Sequence, residues 1–311
     1  MSVFTVVNDD ELGTWLKQYN LQLVSFEGIA AGVTNTNYFV NTTHGRFVLT
    51  LFETLRLDEL PFYLHLMSHL AQHGVACPAP LKNREDQLAS MLAGRPACLV
   101  SCLSGADVIE PSATQCRAVG DMQAAMHCAS ASFTLKMDNP RGPGWWSQVA
   151  VQLYPHMKAD DAQSLKQEIH FQEQHRFTHL PRGVVHADLF KDNVLVDGDK
   201  IAGFIDFYYA CNDVLIYDVA IAVNDWARLP DGKIDAERAR AFLQGYQAVR
   251  PFTPDEIRAW PLMLRAAALR FWTSRLLDLY QPMAGALTYT KDPTVFQHLL
   301  DDHRHRSDFW L

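Results

Sequence analysis

The sequence predicts an α+β protein of two lobes: a small antiparallel-sheet lobe over residues 1–102 and a mainly helical lobe over residues 103–311. Three observations predict it. Up to Cys102, short apolar runs alternate with Gly, Asn, Thr and Pro, the pattern of strands and turns. From Ser112 onward, apolar residues recur mostly at helical spacing over long segments. One short stretch interrupts the helices: Val194-Leu195-Val196, Asp197-Gly198-Asp199 and Lys200 to Ile205 read as a hairpin.

Taken in order, Asn8 or Asp9 caps a first helix reaching about Tyr19, with Leu12, Trp15 and Leu16 on its apolar side. Leu21 to Glu27, Tyr38 to Asn41 and Arg46 to Phe52 read as strands. The small-residue loop between the first two holds Gly28 and Gly32, and its backbone N–H groups suit nucleotide phosphates. Asp58 to His73 reads as a helix whose His65, His69 and His73 share a solvated face. Gly74 to Pro80 is an extended connector, and Leu88–Leu92 and Pro96–Cys102 complete the sheet.

Ser112 or Thr114 caps a helix to about Cys128, with His127 on its core side. Asn139 to Trp146 is rich in breakers and reads as a loop. Asp160–His175, Asp213–Trp226, Asp235–Arg250, Pro254–Tyr280 and Pro293–His305 read as helices. Arg265, Arg270 and Arg275 are spaced by five and form no single stripe. Arg270, between Leu269 and Phe271, is expected to be half-buried and to suit a carboxylate; His298, His303 and His305 are expected to be solvated.

Bulk properties bound the function. The 311 residues are 48% hydrophobic and 20% charged, with a formal net charge of -8. That acidity argues against nucleic-acid partners. Six cysteines form no Cys-x-x-Cys pair, which predicts reduced thiols and a cytoplasmic location. No signal peptide is expected at Met1 to Leu12, which is acidic, and no membrane-spanning run occurs, so no membrane partner is expected. Oligomeric state is left open by the sequence.

The chemistry concentrates between His186 and Asp206. Folding the hairpin back returns Asp206 to the neighbourhood of Asn193, beside the loop that carries Asp188. Two carboxylates and an amide suit a hard cation such as magnesium, which keeps waters and substrate phosphates as further ligands. Phosphoryl transfer from ATP needs such a set, with one carboxylate taking the acceptor's proton.

The spacing Asp188-x-x-x-x-Asn193, with Asp206-Phe207 after the hairpin, resembles the kinase catalytic loop and its metal-binding acid. His186-x-Asp188 without an intervening Arg is similar to small-molecule kinases of the aminoglycoside phosphotransferase type, and implies their two-lobed protein-kinase-like fold. In a kinase the third strand presents a lysine to the phosphates; here Thr50 stands there. By order alone, Ser101 and Leu103 occupy the hinge that bonds the adenine edge. Arg46 to Glu53, His186 to Asn193, Ile205 to Asp213, Gly245 to Pro251 and Gly285-Ala286-Leu287 together resemble bacterial homoserine kinases of this fold. That resemblance implies ATP and Mg2+ as cofactors and L-homoserine as substrate, with O-phosphohomoserine formed on the route to threonine. It implies Asp188 as catalytic base, Asn193 and Asp206 as metal ligands, and His186 and Asp218 as supports of the loop. For the homoserine ammonium and carboxylate, Asp213, Tyr208 and Arg270 are the candidates. The alternative is a kinase of the same fold acting on choline, methylthioribose or an aminoglycoside.

Overall fold

The structure, a computed structural model, describes residues 4–30, 34–281 and 291–311. Gly32 and the Gly285-Ala286-Leu287 segment lie outside the described residues. The chain divides into two compact units between Ser104 and Gly105.

The first unit opens on α1 (Asp9–Leu16), capped by Asn8 in a reciprocal pair with Glu11, then one 3-10 turn to Tyr19. Strands β1 (Leu23–Gly28), β2 (Thr36–Thr42) and β3 (Gly45–Leu51) form an antiparallel meander. Helix α2 (Pro61–Gln72) begins at Pro61, the position where a missing N–H costs nothing. Strands β4 (Ser90–Leu92) and β5 (Arg95–Ser101) close a five-stranded sheet in the order β1-β2-β3-β5-β4. Leu12, Trp15 and Leu16 of α1 share one core with Val40, Leu49, Leu51 and Leu99 of the sheet. His69 and His73 stack on each other on the exposed side of α2, as a solvated face requires.

The second unit is mainly helical. Helix α3 (Ala113–Ala129) is capped by Ser112. Helix α4 (Pro143–Leu153) follows, then α5 (Ala159–Gln174). The loop expected through Trp146 therefore stops early: Gly142 and Pro143 end a turn and start a helix, which the breaker count concealed. Next come β6 (Arg182–Val185), the hairpin β7 (Val194–Asp197) and β8 (Lys200–Phe204), and β9 (Cys211–Val214). Asp213 thus lies in a strand paired with β6, not at a helix start. Helices α6 (Leu215–Trp226), α7 (Ala236–Val249), α8 (Pro254–Tyr280) and α9 (Thr294–His305) complete the unit.

Every residue of α6 is buried, so this helix is the unit's core element. Helices α3 and α7 cross at glycines: a Cβ on Gly120 would lie 2.1 Å from the Phe242 carbonyl oxygen, and one on Gly245 2.0 Å from that of Arg117. Only this close approach lets His127 of α3 reach the Tyr246 hydroxyl of α7, 2.7 Å away. Arg265 is not a ligand-binding residue but part of a buried ion triad: Glu168 of α5 accepts from Arg265 of α8 at 2.6 Å and from Arg304 of α9 at 2.9 Å. His303, expected in solvent, is instead buried and bonds the Asn224 side chain at 2.8 Å, because the apolar face of α9 turns inward against α8.

Candidate active site

The loop from His186 to Asn193 is held by two acids of α6. The carboxylate of Asp218 accepts from the backbone N–H groups of His186 at 3.1 Å and Ala187 at 2.7 Å. Asp225, seven residues on and therefore on the same face, accepts from the Lys191 N–H at 2.9 Å. This clamp explains how Ala187 tolerates a φ of +61°, a conformation that costs about 1–3 kcal/mol in a residue with a Cβ. His186 is fully buried, and burial pushes its imidazole below the ordinary value. Its Nε2–H donates to the Ile205 carbonyl at 2.9 Å, tying the loop to the end of β8. His186 therefore braces; its ring is aimed at the backbone.

Asp218 is anchored in turn. It accepts from Gln123 at 2.9 Å and from His127 at 3.0 Å, and His127 bonds Tyr246, whose oxygen accepts from Arg250 at 3.3 Å. Burial alone would raise the Asp218 carboxyl; the hydrogen bonds from His127 and the loop N–H groups outweigh it and hold the group below its usual value.

Asn193 donates its amide N–H to the Asp188 carbonyl at 2.7 Å and to the Asp188 carboxylate at 3.1 Å. Both donations fix the amide so that its oxygen remains as an acceptor for another group. The hairpin returns as expected: Val194 pairs with Phe204, and the Ile205 N–H donates to the Asn193 carbonyl at 2.9 Å. Asp206 follows in a left-handed conformation with φ +60°, and the Tyr208 N–H donates to its carboxylate. Burial pushes Asp206 up to about 6 and Asp188 up to about 7; Arg270 pulls Asp188 down, and Asp206 pushes it further up. Burial raises both carboxyls, Asp206 raises Asp188 further, and Arg270 and Lys291 offset this only in part, while the Asn193 amide oxygen is left as a further acceptor. That donor set fits a divalent cation, with Asn193 and Asp206 as its protein ligands. Among the described residues no group of three His, Cys, Asp or Glu side chains could hold a metal ion by itself.

The raised carboxyls set a pH dependence. A base must be ionised, and Asp188 is protonated below its raised value, so activity falls as pH drops through it. With metal-ATP varied, kcat/KM is expected to show an acid limb near pH 7, whereas the kcat limb, set in the loaded enzyme, lies lower. A kcat/KM profile flat down to pH 5 would contradict the buried environment.

The other expected residues divide. Arg270 of α8 is 4% exposed, deeper than the half-burial expected, and its guanidinium lies 3.7 Å from the Asp188 carboxylate. Its flanking Phe271 lies under it at 3.7 Å and Tyr209 at 5.4 Å. Asp213 instead accepts from Asn139 at 2.7 Å and pairs with Arg182 at 3.3 Å, which occupies both oxygens. In the first unit, Gly28 is the last residue of β1, opposite Tyr38. Thr50 is buried and donates to Asn37 across the sheet at 2.8 Å, so its hydroxyl serves the sheet. The Ser101 hydroxyl accepts from the Ala79 N–H at 2.8 Å; Leu103 follows the strand, half-buried. Arg46 pairs with Glu27 and lies over Phe39. Asp225 was missed, although two acids seven apart in an otherwise apolar helix were its signal. Arg141 and Tyr209, both near Arg270, carried none.

The comparisons agree with this geometry. The family model described as "Phosphotransferase enzyme family" matches residues 25–252. The chain belongs to that family. This phosphotransferase is 51% identical to the homoserine kinase of Neisseria meningitidis serogroup B, over 96% of the chain and 99% of the relative. It is 52% identical to the homoserine kinase of Methylobacillus flagellatus, over 96% and 94%. Among solved structures it resembles a spectinomycin phosphotransferase in complex with ADP and spectinomycin, with a TM-score of 0.72 at 13% identity over 96% and 98% of the two chains. An amicoumacin kinase in complex with AMP-PNP gives 0.70 at 16% identity, over 93% and 92%. At such identities these structures speak for the fold alone, a two-lobed kinase-like one in which the phosphotransferase carries its five-stranded antiparallel sheet. No helix of the described residues is long and apolar enough to cross a membrane.

Proposed function

We propose that the protein transfers the γ-phosphoryl group of ATP to the side-chain hydroxyl of L-homoserine, giving O-phospho-L-homoserine and ADP in threonine biosynthesis. The observation that carries the reading is the identity of about half of all residues, over nearly the full length, with homoserine kinases of two organisms. The assembly of Asp188, Asn193 and Asp206 supports it independently.

Asp188 takes the proton of the acceptor hydroxyl as its oxygen forms the bond to phosphorus and the bond to the ADP oxygen breaks. Arg270 beside Asp188 favours its ionised form at the start of the step. Asn193 donates to the Asp188 carboxylate and holds its orientation, and its amide oxygen together with Asp206 would hold the cation. Bound magnesium supplies positive charge against the phosphate oxygens. Residues 1–102 serve the nucleotide: backbone at Gly28 and Gly32 for the phosphates, and Ser101 and Leu103 for the adenine edge. Thr50 stands where the third strand of a kinase presents its lysine, and its hydroxyl bonds Asn37. Residues 103–311 supply the chemistry and the acceptor site. A cytoplasmic location accords with six unpaired cysteines.

Coupled ADP release tests this reading with L-homoserine, choline, methylthioribose and an aminoglycoside, each with and without magnesium. Turnover is expected with homoserine and magnesium together. Turnover of another alcohol in preference to homoserine would replace the acceptor, and turnover in EDTA would remove the cation.

A further inference from the structure

Arg270 is a buried guanidinium whose one ion pair among the described residues, to Asp188, leaves its hydrogen-bond donors unused. A guanidinium offers five N–H donors. Among the described residues, none of those of Arg270 makes a hydrogen bond, although the side chain is 4% exposed. The nearest acid, Asp188, lies beyond hydrogen-bond distance at 3.7 Å. A second guanidinium stands close by. Arg141 lies over the Trp145 ring at 4.5 Å and beside the Tyr209 hydroxyl, and it repels Arg270 electrostatically.

The position of Arg141 is built. Its N–H donates to the Asn139 side chain at 2.8 Å, and its carbonyl accepts from the Trp146 indole at 2.6 Å. Asn139 is fixed by Asp213 of β9, and the Met137 N–H by Asn212. A loop stitched to a strand at three residues presents this one arginine. Burial pushes Arg141 down, Arg270 adds to that, and Tyr209 and Asp278 oppose it. Two converging arginines without a bonded carboxylate call for an anion, and planar guanidiniums match a carboxylate best.

We propose that Arg141 and Arg270 form the subsite for the amino-acid end of the acceptor, binding its α-carboxylate. The assignment rests on the homoserine kinase reading and names residues for its specificity. The span fits: in extended homoserine the hydroxyl oxygen lies roughly 5 Å from the carboxylate carbon, four bonds away. Arg270, adjacent to Asp188, can therefore hold one end of the acceptor while Asp188 meets the other. Asp213 acts at one remove, through Asn139 and the loop that carries Arg141. Aminopropanol, lacking the carboxylate, is the acceptor such a site discriminates against, and 4-hydroxybutyrate, which keeps it, is the control.

The test uses the full chain and Arg141→Gln and Arg141→Lys, each checked by thermal melting. Steady-state kinetics are run with homoserine, aminopropanol and 4-hydroxybutyrate, and binding of homoserine and of magnesium-ATP is measured by calorimetry. Arg141→Gln is expected to raise the homoserine KM roughly tenfold to a hundredfold, the loss of a charge-assisted pair, with a smaller change in kcat. It is also expected to lower the preference for homoserine over aminopropanol by a similar factor, and Arg141→Lys, which keeps the charge, to recover part of both. Homoserine turnover and specificity unchanged in both variants overturn the subsite and leave the kinase reading standing. Homoserine binding that weakens in both variants, in a protein that never phosphorylates it, overturns the kinase reading and leaves the subsite. A loss of magnesium-ATP affinity in Arg141→Gln with homoserine affinity intact assigns the arginines to the phosphates and overturns the proposal. Absence of both homoserine binding and turnover in the natural protein overturns both.

Discussion

Asp188→Asn is expected to lower kcat by about two to four orders of magnitude, the range that a positioned base contributes. The replacement is close to isosteric, so the Asn193 amide keeps an oxygen to donate to, and the backbone bond from Asn193 to the carbonyl of residue 188 is untouched. The loop is anchored elsewhere, through the N–H groups of His186, Ala187 and Lys191. Magnesium-ATP affinity should therefore stay within a few-fold of the natural protein while turnover collapses. Removing a carboxyl that burial raises to about 7 also removes its acid limb, so the residual activity should be flat through that pH range. Calorimetric nucleotide binding and single-turnover phosphorylation check the two halves. Residual turnover within tenfold of the natural rate would show that the proton leaves by another route.

Asp218→Ala is expected to destabilise the fold by about 3–5 kcal/mol, the cost of breaking a buried charged network on one side. The carboxylate is fully buried and accepts from two loop N–H groups, Gln123 and His127. Its removal leaves those four donors without an acceptor and releases the strained Ala187, so kcat should fall together with stability. Asp218→Asn retains size but can accept fewer of the bonds, and an intermediate loss is expected. The pH dependence has a definite sign. The folded carboxyl sits below its ordinary value, so its stabilising contribution is present above the unfolded value near 4 and is lost as pH falls through the folded one. Urea melts of the natural protein and both variants at pH 3 and pH 7, with kcat measured at pH 7, check this. A variant that melts like the natural protein would mean that the loop is held without Asp218.

The two effects separate roles that sequence spacing runs together. His186 and Asp188 are two residues apart, yet one ring faces the Ile205 carbonyl and one carboxylate faces Asn193 and Arg270. The turn between them is the left-handed Ala187, and Asp218 holds it from below. The first should thus act on chemistry with little effect on stability, and the second on both.

Local sequence determined much of this protein. Capping residues Asn8, Ser112, Asp235 and Thr253 start helices where expected, because a side chain that bonds the first turn is a local event. The Asp197-Gly198 turn determined the hairpin, and with it the return of Asp206 toward Asn193, because pairing across a tight turn fixes register. Tertiary structure alone decided the rest. The β6–β9 pair that places Asp213 joins segments about thirty residues apart, and no local pattern encodes such a partner. His303 went inward because α9 packs on α8 and so meets the Asn224 side chain of α6, a partner far away in sequence. Arg141 gained its place beside Arg270 from a loop stitched to β9. Buried charge depends on which distant groups meet around it, and that is settled only when the chain has folded.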